Sequence, residues 1–214
     1  RTATLVLVSP GGTETNLREV RGSASVTRSR IGFEDFGADA GSWAVAGGSG
    51  RLYAREPMAL EANSAWSLLS GHEIAGVLRA TGDFDRLQVD ARIAAPGIAE
   101  ARLELTDLTG DLRWQGETDI RGLELGQWID PAPFGPLRGK LSMRGDRASY
   151  AASGVMHGEG LPDSGVQVDG KARYADLLVT MDQLTMSVPG ATTVQLQGTM
   201  TVAAGRQLQW NSTA

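Results

Sequence analysis

The chain contains no cysteine, which excludes disulfides and thiolate-held metal centres and is compatible with either a reducing cytosol or an oxidising envelope. It has only two histidines, His72 and His157, neither beside a cluster of histidine or carboxylate at ligand spacing, so no histidine-based metal site is expected. Long apolar runs are missing: Leu5-Val-Leu-Val8 is far short of the roughly 18 residues that span a bilayer as a helix. Neither sign of charge dominates. Twenty Lys and Arg face 25 Asp and Glu, interleaved along the chain, for a net charge of −5. That pattern makes a solvated surface rather than a phosphate-tracking stripe, and nucleic acid is not an expected partner. No Gly-x-Ser-x-Gly elbow, P-loop or dinucleotide fingerprint occurs. Helical periodicity is nearly absent too, with only Thr13 to Val20 weakly helical.

What the chain has is alternation. In Val166 to Tyr174 the even positions are apolar or small, while Gln167, Asp169, Lys171 and Arg173 are polar. Val194 to Val202, Leu87 to Ile93, Ala99 to Leu105, Leu112 to Ile120 and Leu137 to Gly145 repeat the pattern. Successive side chains of a strand point to opposite faces, so these windows predict half-buried strands, each with one dry and one wetted face. The fold class is all-β, with about fifteen strands against the usual four to six of an open sheet. A sheet that large must curl, close or split in two. The 28 glycines fall both between strands and on the small positions of the dry faces. Gly116, Gly145, Gly170, Ala172 and Gly198 interrupt those faces and predict room along the wall, where a closed sandwich would be filled.

Turn chemistry predicts connections at Pro10 to Thr13, Gly47 to Gly50, Thr81 to Asp83, Pro96-Gly97, Gly160 to Asp163 and Pro189-Gly190. Three places change phase: Leu105 to Leu108, Tyr174 to Leu177 and Met181 to Leu184. Each is either a two-residue hairpin or a β-bulge. Gln127 to Pro136, rich in proline and apolar residues, predicts a loop or edge segment over an opening in the sheet, and marks a weak sub-boundary near 126–137 in an otherwise continuous unit, 1–214. The chain starts at Arg1 without methionine and stops just after a strand-like stretch, which suggests a segment of a longer protein.

Asp83 with Asp85, and Asp107 with Asp111, could supply paired carboxylates for calcium or for acid/base work on a carbohydrate, although aspartate is also the ordinary residue of turns. Trp66 and Trp114 continue dry faces and are expected to line a core or a groove. Trp43, Trp128 and Trp210 have no assigned role at this level.

Leu78-Arg-Ala-Thr-Gly-Asp-Phe-Asp-Arg-Leu87, then Asp107-Leu-Thr-Gly-Asp-Leu-Arg-Trp-Gln-Gly116, then Gly135-Pro-Leu-Arg-Gly-Lys-Leu141 resemble the repeats of the AsmA-like, TamB-type family of Gram-negative envelope proteins. The resemblance covers most of the chain and is strongest from about Trp66 to Trp210. It implies a long antiparallel-rich sheet curled into a U-shaped apolar groove, spanning the periplasm from an inner-membrane anchor and carrying phospholipid towards the outer membrane. It also implies an outer-membrane barrel-assembly partner of the TamA-like kind, met through regions outside this segment. No catalytic residue, metal or cofactor is called for. The residues expected to line the groove are Leu103, Leu105, Leu112, Trp114, Leu141, Met143, Val166, Val168, Val179, Met181, Met186, Leu196 and Met200. Three other readings stand beside this one at this level: the same side chains closing an ordinary core, a scaffold whose sheet edges template client strands, and an all-β carbohydrate-active enzyme.

Overall fold

The computed structural model describes residues 3–8, 14–39, 43–68, 74–95, 97–124, 135–175, 178–188, 193–201 and 210–213. Among these residues there is no helix. Fifteen strands form one antiparallel meander in which each strand pairs only with its chain neighbours, and β1 and β15 stand at opposite edges. The strands are β1 (Ala3–Val8), β2 (Glu14–Val26), β3 (Arg30–Asp39), β4 (Trp43–Tyr53), β5 (Leu60–Leu68), β6 (Ile74–Gly82), β7 (Arg86–Ala95) and β8 (Ala99–Thr106). They continue as β9 (Arg113–Leu123), β10 (Leu137–Asp146), β11 (Ser149–His157), β12 (Val166–Ala175), β13 (Leu178–Ser187), β14 (Thr193–Thr201) and β15 (Trp210–Thr213). The alternating windows read from the sequence thus fall on β7, β8, β9, β10, β12 and β14.

Several local expectations are corrected. The stretch from Thr13 to Val20, weakly helical by pattern, runs as strand from Glu14 into β2, because pairing with β1 and β3 satisfies backbone groups that so short a helix could not. Gly47 to Gly50 is not a turn. β4 runs straight through it, with a bulge between Ala46 and Ser49 and Gly47 in the left-handed region at φ 61°. The reversal comes later, at residues 54–59. Glu19 and Asp35, both at φ 51°, accompany register shifts in β2 and β3, so the three neighbouring strands β2 to β4 all carry irregularities.

The three phase changes resolve differently. Ala175 pairs with Leu178 and Tyr174 with Val179, so the connection into β13 is a two-residue hairpin set one residue later than the Tyr174 to Leu177 spacing implies, with residues 176 and 177 themselves outside the described residues. Met181 to Leu184 is a bulge inside β13: Ala172 pairs with Met181 but Lys171 pairs with Gln183. Leu105 to Leu108 is neither, since β8 ends at Thr106 and β9 opens at Arg113, with Asp107 at φ 54° starting the loop. Most of the proline-rich segment, 127–134, lies outside the described residues, as do His72, Trp128, 10–13 and Pro189-Gly190. On either side of that segment β9 and β10 pair with each other, Leu137 opposite Leu123.

A single layer leaves much surface uncovered. The accessible area is 14286 Å², whereas a compact monomer of this 22.6 kDa mass exposes about 9,500 Å² by the usual size scaling. No described side chain is fully buried, and the most buried apolar residues, Ala80, Leu87, Ala99, Ile120 and Met156, remain 5–8 % exposed. They belong to two clusters on the same face: Ala80, Leu87 and Val89 towards one end of the strands, and Ala99, Ile120 and Met156 towards the other. Packing is therefore lateral, between side chains of neighbouring strands, rather than between two sheets.

Candidate functional site

Cross-strand register converts the alternation into four apolar rows that run across the strands. At one end, Leu60, Gly82, Leu87, Leu105, Trp114, Gly145, Tyr150 and Ala172 succeed one another from β5 to β12. The opposite end is the row of Trp66, Gly76, Ile93, Ala99, Ile120, Gly139, Met156 and Val166. Between them lie the row from Ala62 through Leu103, Gly116 and Met143 to Gly170, and the row from Ser64 through Ala91, Ala101 and Leu141 to Val168. Within these rows the aromatic side chains, Trp66, Trp114 and Tyr150, all stand at the ends. The middle rows are rich in alanine and glycine. No charged residue occupies any of the four.

Nine of the thirteen expected groove residues fall on this face. Leu105 and Trp114 are in one end row and Val166 is in the other. Leu103 and Met143 share a middle row, and Leu141 and Val168 share the next, which Met186 extends. Met181 pairs with Ala172 on one side and Gly198 on the other. Leu112 precedes β9 and is half-buried, outside the ladder itself. The backbones of Val179, Leu196 and Met200 take their places in β13 and β14, Val179 opposite Met200 and Leu196 opposite Leu184, while their side chains lie outside the described residues. Leu60, Leu78, Leu87, Ile93, Ile120, Leu137, Tyr150 and Met156 join the face without having been singled out. For Leu60, Leu87, Ile93, Ile120 and Leu137 the signal was the two-residue period of strands already recognised, whereas Leu78 on β6 and Tyr150 and Met156 on β11 lie in strands that the alternating windows did not include.

The glycines of this face do not leave empty space along the wall, contrary to expectation. A Cβ on Gly116 would stand 2.7 Å from Leu103 Cδ2, one on Gly154 2.9 Å from Leu141 Cδ2, and one on Gly145 2.7 Å from Trp114 Cζ2. Each of the three would also meet a carbonyl of the neighbouring strand. These glycines let large side chains lie flat over the backbone, which makes a low, smooth floor rather than a row of holes. Gly170 differs, with its nearest neighbour, Leu184 Cδ1, at an ordinary 3.7 Å.

The opposite face is charged. Asp90 pairs in register with Arg102 and Glu100 with Asp119, and Arg121 reaches both carboxylates of the latter pair at 3.1 Å. Arg173 forks onto Asp182, the extra residue of the β13 bulge, and holds its carboxyl below the usual carboxylate range. A depression of about 1120 Å³ lies on this face among Arg102, Glu117, Lys140, Arg144 and Lys171.

Of the paired aspartates considered for catalysis or calcium, Asp83 and Asp107 serve their own loops. Asp83 Oδ1 accepts the N–H groups of Asp85 and Arg86, and the Asp107 carboxylate accepts those of Gly110 and Asp111 at 3.0 and 2.8 Å. Asp146 repeats the device with Ala148 and Ser149; the Ser149 hydroxyl first, then those two N–H groups, holds its carboxyl below the usual range. Successive loops are also tied together, Asp107 N–H to the Asp85 carbonyl and Leu108 N–H to that of Phe84. His157 sits exposed at the end of β11, opposite Arg138. Among the described residues no three His, Asp or Glu side chains gather as a metal site, and no helix is long and apolar enough to cross a membrane. No family model matches the chain, and no match was found among curated proteins or solved structures.

Proposed function

We propose that the apolar face carries acyl chains of phospholipid, the chain acting without catalysis as a stretch of a periplasmic lipid conduit of the AsmA-like, TamB-type kind. One observation carries the reading: a charge-free face runs from β5 to β13, and among the described residues no second layer of structure lies on it. Nine strands at about 4.8 Å spacing give it a length of about 38 Å, against about 15 Å for half of a bilayer's hydrocarbon core. An acyl chain of sixteen carbons exposed to water costs about 13 kcal/mol at ~0.8 kcal/mol per methylene, and an apolar floor removes most of that barrier. The four rows together would act as the track. Curling of the sheet towards this face would deepen the track into a groove. The resemblance of the repeats supports the envelope setting and an outer-membrane barrel as a partner.

The deciding experiment is in-cell photocrosslinking from position 143 on the apolar face and from position 142 on the charged face of the same strand. Phospholipid adducts at 143 and none at 142 are expected. Protein adducts at 143 would replace the lipid reading by a scaffold for client strands, and an unreactive 143 in folded protein would make the face an ordinary core.

A further inference from the structure

We infer that the charged face holds a second, separate site, which binds a phosphate group over Ala151 between Arg144 and Lys171. Register places Gln115, Arg144, Ala151, Lys171 and Gln183 in one line across β9 to β13. Two strand spacings put the backbones of the two cations roughly 10 Å apart, with only a methyl group between them. A tetrahedral oxyanion fills that gap with a guanidinium on one side and an ammonium on the other, and Ser153 stands two residues along β11. Elsewhere on this face Arg86, Arg102, Arg121 and Arg173 each meet a carboxylate. Arg144 and Lys171 instead have neutral cross-strand partners, and among the described residues no ion pair includes either. Of the acidic neighbours along their own strands, Asp146 is held by the N–H groups of Ala148 and Ser149, while Asp169 accepts from the Gln167 amide, keeps its charge and stands opposite Ser153, one row from the gap. Glu117 lies one row away, opposite Ser142. Arg144, Ala151 and Lys171 line both the 1120 Å³ depression and the adjoining one of about 730 Å³, so this line is where the two meet.

The site faces away from the apolar rows, so a phosphate there belongs to a different molecule from any acyl chain on the other side. Its source is either a free phosphate ester or a lipid headgroup. The test is a titration of the chain with inorganic phosphate at constant ionic strength, followed by amide shifts of Ala151 and Ser153, beside flotation with vesicles containing phosphatidic acid or phosphatidylcholine alone. Saturable shifts centred on Ala151 are expected. The Arg144→Gln, Lys171→Gln double variant weakens them at least roughly tenfold, as loss of charge-assisted hydrogen bonds implies, while Arg86→Gln leaves them unchanged. Should the double variant not fold, Ala151→Asp, which sets a carboxylate in the gap, is read in its place. Binding to phosphatidic acid vesicles that disappears in the variant assigns the headgroup as the source, and phosphate binding without vesicle binding assigns a soluble ester. No saturable response to phosphate or to phosphatidic acid, or an unchanged response in the folded variant, overturns the site.

Discussion

Trp114 and Tyr150 meet over Gly145, the residue that pairs with both of them, with ring centroids 5.8 Å apart and planes inclined by 45°. The missing side chain is what lets two large rings from strands two apart come together, and Trp114 Nε1 donates onward to the Asp146 carbonyl at 3.2 Å. Gly145→Ala should therefore cost about 1–3 kcal/mol by overpacking. Gly122→Ala, where an added Cβ meets nothing within 4 Å, should be near neutral. Urea unfolding midpoints of the two variants check the contrast.

A charge on the apolar face should act through the face rather than through the strand. Leu141→Asp places a carboxylate among Ile120, Met156 and Val168, whereas Ser142→Asp adds one to a surface that already bears many. Lipid adducts captured from position 143 should fall in the first and persist in the second. Equal loss in two folded variants would contradict the assignment of that face to lipid.

Asp146 and Asp182 have folded-state carboxyl values below those of the unfolded chain. A depressed value stabilises the fold above the unfolded value near 3.8, and that contribution is lost as pH falls through the lower folded value. Stability should thus decline on acidification below about pH 4. Asp146→Asn and Asp182→Asn should each be less stable at neutral pH and show a flatter acid limb. Unfolding midpoints measured across that window read both effects.

Asp107 combines a left-handed backbone with two N–H groups held by its carboxylate. Asn is at home in that conformation and keeps one acceptor, so Asp107→Asn should be mild, while Asp107→Val should cost about 2–4 kcal/mol from strain and lost hydrogen bonds together. Thermal unfolding of the pair distinguishes this loop role from a catalytic one, which would spare stability.

The regular strands were legible because their cause is local: Leu137 to Gly145 alternates without a break, and its ladder is equally unbroken from Gly139 to Gly145 on both sides. The apolar face was legible for the same reason. What was hidden depends on partners that local pattern does not name. Gly47-Gly48 reads as a turn but is a bulge, because the choice between the two is made by whether β3 and β5 continue alongside. Met181 to Leu184 and Tyr174 to Leu177 have the same apolar spacing, yet one is a bulge and the other spans a hairpin. Gly116 and Gly145 read as gaps, because the side chains that cover them come from other strands. The line from Arg144 to Lys171 became visible only when register set Ala151 between them.

Because β1 to β15 follow one another in space as in sequence, no strand pairing among the described residues closes the sheet and fixes its strand number. A hairpin gained or lost within it lengthens or shortens the apolar track by about 9.6 Å and leaves every other strand facing as before. Reach is therefore a property that duplication of a short segment can set, in even steps, much as rungs set the length of a ladder.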